Sequence, residues 1–500
     1  MSTPTQRFLL CGLLAGFVVA DRLHAAVSVA EDFVLTADDL SLENQEVLVR
    51  KATLTVLGSH TFAGLQLLEG AVLTHPGATN GEPDHAIRLT VNGNVVVDST
   101  SRIDASGRGY ATGAAPGAGT VGAPFGAGGG HGGEGGKGSG NPGTMGGAAI
   151  GSIVGPNEWG GPGGASGASA FAAGGGLIRL TVSGSLRVDG SIVANGTPAW
   201  INNQGGGAGG GIHLTVGSLL GSGTVAANGG AGEWVDGGGG AGGRIAIHHS
   251  ANSFTGHLSV FGGGGHQHGG AGTLFLKDAA EPIGLIVVDN GDHLGAHTPI
   301  NWPDPLHLAI GGQAQVYPPV NLTVQSLEVR TNGILTHPTG LARCEVTVLG
   351  DAKVLPGGRI TVDGRGYPIG DDSGPGVGGL EDWAASGGGH GGEGGLSATG
   401  RAGGPGYGSI TEPTTLGSQG GSSATGPGTA GGGVVRLRVN GRLTVDGQIS
   451  ANASSVPPPN NAGGGAGGSL WLTVGSLAGS GSIAATGGPG EWVDGGGGSG

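Results

Sequence analysis

The chain has 500 residues, 121 of them glycine, with 36% hydrophobic, 4% aromatic and 11% charged residues and a formal net charge of −14. Glycine far above its usual share but without a strict Gly-X-Y period excludes a collagen, and the apolar content is too high for a typical disordered chain. A thinly spread acidic charge with no basic stripe argues against nucleic acid as a partner.

The first residues read as an export signal. Arg7 precedes the 13-residue apolar run FLLCGLLAGFVVA at 8–20, and small residues follow at Ala25 and Ala26. A membrane-spanning helix needs about 20 apolar residues. Residues 1–25 are therefore expected to be a cleaved signal peptide, with a mature chain secreted or displayed at the cell surface and no membrane span within it. Cleavage leaves Cys344 as the one cysteine, so neither an intramolecular disulfide nor a cysteine metal cluster is expected.

Beyond the signal the sequence repeats at two scales. GEWVDGGGG at 232–240 returns at 490–498, GRGY at 107–110 returns at 364–367, and LTHP at 73–76 returns at 335–338. The offset of about 258 residues divides the chain into a first copy, 26–303, and a second, 304–500. The second copy stops at GGGGSG, where the first continues GGGGAGGRIAIHH, so further sequence is expected after residue 500.

The shorter period lies inside each copy. Ile178 aligns with Ile212 after 34 residues, Ile212 with Ile245 after 33, and Val435 with Leu470 after 35. Each unit alternates apolar and polar residues over three short runs: Ile178, Leu180 and Val182, then Leu186 and Val188, then Ile192 and Ala194. Such alternation, broken by Gly, Ser, Asp and Asn, predicts three strands joined by tight turns. The pattern predicts an all-β fold, a parallel β-helix (solenoid) with coils of about 33–35 residues. Stacked coils would lie about 4.8 Å apart, their inward faces forming one apolar column. Asn195 and Asn228 occupy equivalent places in successive coils. That placement predicts an amide ladder at the turn; the plain turn preference of asparagine is the simpler alternative.

GGGHGGEGG occurs at 128–136 and again at 387–395. His131, Glu134 and Lys137 recur at every third residue, the period of a polyproline-II-like helix. Glycine at the other positions lets such helices lie close and exchange backbone hydrogen bonds. Two readings stay open for these long glycine-rich loops: polyglycine-II-like order with His, Glu and Lys on an exposed ridge, or mobility.

Three constellations are candidates for chemistry. His131 with Glu134, and His390 with Glu393, are candidate metal ligands, although two ligands are too few for a closed site. Glu233, Trp234 and Asp236, repeated as Glu491, Trp492 and Asp494, could stack on a sugar ring or hold Ca²⁺. Histidines crowd 248–268, where His266 and His268 could present two imidazoles to a metal. Asp189, Asp363 and Asp446 end VDG turns once per unit, which turn chemistry explains. Nucleotide-binding, nucleophile-elbow and calcium-repeat signatures are not met, and no catalytic residue is assigned.

The signal, the GSLRVDGSIVANG-type units, the GGGAGGGI connectors and GGRIAIHH followed by GGAGTLFLKD resemble large secreted bacterial glycine-rich repeat proteins, similar in style to β-helical adhesins and autotransporter passengers. The resemblance implies a non-catalytic secreted or cell-surface structural or adhesin-like protein, with extracellular glycans or cell-surface components as partners. The alternatives are a carbohydrate-active β-helix protein, lyase or hydrolase, and a glycan- or Ca²⁺-binding module of a larger enzyme.

Overall fold

The computed structural model describes residues 26–120, 125–140, 144–165, 171–233, 235–319, 321–339, 343–370, 374–381, 383–455, 461–491 and 494–500. The expected signal peptide, Trp234 and Trp492 lie outside the described residues. Within them the fold is all-β, with no helix. One sheet has 18 strands, two more have 7 and 6, and a small one has 2. Pairing is parallel except between Thr273–Asp278 and Leu285–Asp289 and within the two-stranded sheet.

The strands form where alternation demands them. In Leu177–Val188, the residues Ile178, Leu180, Val182, Leu186 and Val188 are buried while Arg179 and Thr181 face outward. This long strand pairs with two short predecessors, Ile87–Val91 and Val95–Val97. An irregularity between Val182 and Ser185 shifts its register against Gly211–Leu220, a bulge accommodated by Gly184. Ile178 pairs with Ile212, Ile212 with Ile245, and Val435 with Leu470. The short strands keep the same register in the 7-stranded sheet, with Ile103, Ile192 and Val225 side by side. The apolar side chains between the sheets form two contiguous clusters. Leu274 belongs to the first cluster and Phe275 to the second, so the buried face changes side along Thr273–Asp278, at the antiparallel pair.

The asparagine ladder exists, but with different bonds. The Asn228 N–H donates to the Asn195 side-chain oxygen at 2.8 Å, and the Phe261 N–H donates to the Asn228 side-chain oxygen at 2.8 Å. In the second copy the Thr486 N–H donates to the Asn452 side-chain oxygen at 2.8 Å. Each amide oxygen thus satisfies a backbone donor of the next unit, which a turn cannot pair by itself. Thr486 stands where the next Asn would be, because only the preceding residue needs the acceptor.

The glycine tracts are joined to one another by backbone hydrogen bonds. After Ser191–Val193 the chain runs outward through 194–199 and returns through 205–210; the next unit does the same through 227–233 and 237–243. Bonds recur at every third residue. Gly206 and Gly209 donate to Gly238 and Ala241, while Gly207 and Gly210 donate back to Thr197 and Ala194. The 128–136 tract covers these arms: Gly129 donates to Gly206, Gly132 to Gly242, and Ala241 to Gly129. Backbones approach so closely that a Cβ on Gly240 would lie 2.0 Å from the Gly207 carbonyl oxygen. Only glycine permits that approach.

Candidate functional site

The doubled His–Glu string does not form an exposed ridge. His131 is fully buried and its Nδ1–H donates to the Gly209 carbonyl at 2.8 Å. Burial, and then the nearby Arg244 charge, hold its pKa down to about 3. Arg244 is itself buried, with Nε donating to the Ile150 carbonyl at 2.8 Å and a terminal nitrogen to Thr273 at 2.9 Å. His390 is buried at the equivalent place, with Nε2 at 2.8 Å from the Thr415 hydroxyl and its ring edge-on to Tyr407. The string bends on itself instead of running as a three-residue helix: the His131 N–H donates to the Gly133 carbonyl at 3.1 Å and the Gly128 N–H to the Gly136 carbonyl at 2.8 Å, with the same bonds from His390 to Gly392 and from Gly387 to Gly395 in the second copy. Glu134 turns to Tyr317, and Glu393 is exposed. His131 and Glu134 therefore serve different partners. Among the described residues no group of three or more His, Cys, Asp or Glu side chains is placed to hold a metal.

The acidic EWVD residues shape a reversal of the chain. The Asp236 N–H donates to the Glu233 carboxylate at 3.3 Å, and the Asp494 N–H to the Glu491 carboxylate at 3.1 Å. Gly237 and Gly495 close the turns by donating to the Glu233 and Glu491 carbonyls. Asp236 also accepts from the Ser139 hydroxyl, tying the reversal to the covering tract. His266 is exposed, with its Nδ1 at 3.2 Å from the Val235 carbonyl. His268 instead stacks on His293, with ring centroids 5.0 Å apart. The two imidazoles of HQH thus take separate neighbours.

A cleft of about 450 Å³ opens where the first copy's covering tract meets residues of the second. Glu134, Lys137, Gln267, His297, Thr339 and Arg365 line it. The Tyr317 hydroxyl donates to Glu134 at 2.9 Å, and His297 Nδ1 lies 3.8 Å from the other carboxylate oxygen. Burial raises the Glu134 pKa above its ordinary value. Burial, and then the Arg365 and Lys137 charges, hold the His297 pKa down to about 4. Burial and the Glu134 carboxylate push the Tyr317 phenol well up. His297 Nε2 is buried without a partner. A carboxylate held by the Tyr317 phenol, a neutral imidazole and two cations can together hold a hydroxylated, negatively charged ligand. No spacing in the sequence joins these residues. They come from four separated segments, and Lys137 has Leu396 as its counterpart in the second string.

Comparison with known proteins finds no matching family model, no matching curated relative and no matching solved structure.

Proposed function

We propose that the chain is a non-catalytic secreted or cell-surface protein, structural or adhesin-like, wound as a parallel β-helix and stiffened by polyglycine-II-like arms. One observation carries the reading. The residue types that would serve chemistry are bound into the same backbone framework in both copies: His131 and His390 in the interior, and Glu233–Asp236 and Glu491–Asp494 in turns. The pairing of equivalent residues 33–35 positions apart supports the helical winding. Every third-residue backbone bond supports the polyglycine-II description of the arms. A stiff framework that repeats its surface suits many weak contacts summed by multivalency, with extracellular glycans or cell-surface components as partners.

Residues 26–500 immobilised on beads should adhere to glycan-coated surfaces far more strongly than the free chain binds. The same chain incubated with polyuronates and sulfated glycans should release no new reducing or unsaturated ends. Release of such ends overturns the non-catalytic reading. The junction cleft favours the second reading, a carbohydrate-active protein. Loss of any such release in Glu134→Gln would assign it to that cleft.

A further inference from the structure

The two copies differ in charge on the outer face of the large sheet. Register places Arg88 of Ile87–Val91 beside Arg179. The same strands of the second copy place Glu345 beside Arg436. There the charges close on themselves: Arg436 pairs with Glu345 at 2.9 Å, Arg343 reaches the same carboxylate at 2.8 Å, and the Arg436 guanidinium stacks on Trp471 at 4.3 Å. In the first copy both arginines instead reach the amide oxygen of Asn157, at 3.4 and 3.0 Å. Among the described residues neither has a carboxylate partner.

Like charges directly opposite on neighbouring strands destabilise a sheet. The second copy shows that this scaffold accommodates an ion pair at these positions, so the doubled positive charge is not imposed by the fold. The arginines are half-buried and line an open cleft of about 340 Å³. The hydroxyls of Ser59, Thr61, Thr90 and Thr181 line it as well. Thr61, Thr90 and Thr181 stand in one row across three paired strands. Two guanidinium forks beside a hydroxyl row suit a group with several anionic oxygens. The cleft is an open trough rather than an enclosed cage, which suits a chain of sugars lying across the strands.

We infer that the Arg88–Arg179 cleft is an oxyanion site that takes the sulfate or carboxylate groups of a linear acidic glycan. The guanidinium pair holds the charge, and the hydroxyl row takes neighbouring sugar oxygens. The inference deepens the adhesive reading and rests on it only for the choice of a glycan over a free anion.

The test is calorimetric titration of residues 26–500 at low ionic strength with a heparin-derived oligosaccharide, an oligogalacturonate and sodium sulfate. Arg88→Glu recreates the second copy's pair and should fold normally, with an unchanged thermal transition. It should weaken oligosaccharide binding by about 10–100-fold, since charge-assisted bonds are worth about 1.5–3 kcal/mol. Arg179→Gln should act likewise. Binding of sodium sulfate with no gain for either oligosaccharide overturns the glycan assignment while upholding the oxyanion chemistry. Equal binding by the parent chain and Arg88→Glu, or no binding of any probe, overturns the site. Polysaccharide cleavage alongside Arg88-dependent binding would sink the non-catalytic reading and leave this site standing.

Discussion

Replacing one glycine inside the arms tests the framework most directly. A Cβ on Gly240 would lie 2.0 Å from the Gly207 carbonyl oxygen and 2.5 Å from its carbon. These are backbone atoms, so no side chain can swing aside, and the arms must part by more than an ångström. The bonds at stake are Gly240 N–H to Gly230 at 2.9 Å and Gly263 N–H to Gly240 at 2.8 Å. Leaving a buried donor or acceptor unpaired costs about 1–3 kcal/mol. Gly→Ala otherwise stabilises by about 0.4–1 kcal/mol through the unfolded chain. Gly240→Ala should therefore cost about 2–5 kcal/mol. Gly77→Ala, where nothing lies within 4 Å of the new Cβ, should be neutral or slightly stabilising. Segments of a fold open locally, so hydrogen exchange of the 227–243 amides is the assay. Protection should fall by about thirtyfold to a few thousandfold in Gly240→Ala, at 1.36 kcal/mol per decade. Unchanged protection in that variant would refute the close-packed arms.

Ile212, fully buried and paired with both Ile178 and Ile245, should lose about 2–5 kcal/mol on change to Ala, seen as a lower midpoint in denaturant. Asn228→Ala removes the acceptor of the Phe261 N–H and should cost about 1–3 kcal/mol, with the Phe261 amide exchanging faster; Asn228→Asp should retain most of the protection. Acid should destabilise the fold. His75 is held at about 4 against an ordinary 6.5, chiefly by burial. The unfolded chain therefore binds this proton first as pH falls, and stability present above about 6.5 declines toward pH 4, by about 3 kcal/mol for this group. His131 and His297 act in the same direction, whereas Glu134, raised by burial, opposes them. Thermal midpoints measured from pH 7 to 4 should fall, and less steeply in His75→Gln.

The sequence alone was enough for the register of the repeated strands, although it divided Leu177–Val188 into two strands and missed the antiparallel pairing of Thr273–Asp278 with Leu285–Asp289. The alternation of Ile178, Leu180 and Val182, repeated after 34 and 33 residues, determined which residue lies beside which, because a parallel sheet with one buried face tolerates no slip of register. It also carried the position of the asparagine ladder, though not the bonds, since like residues in register need not bond to each other. Only the tertiary structure shows which glycine tracts bond to one another and where it places His131, Glu134 and the acidic turn residues. A Gly-Gly-X period does not specify the bend that folds the 128–136 string on itself, so burial of His131 had no local signal. The junction cleft and the Arg88–Arg179 pair were equally hidden. Residues as distant in the chain as Glu134 and Tyr317, or Arg88 and Arg179, meet only when the backbone brings their strands and tracts together. After burial, the Arg179 charge lowers the Arg88 pKa and the Glu134 carboxylate raises that of Tyr317 only at that range, because the interaction falls off with distance and is screened by water until the groups are partly buried.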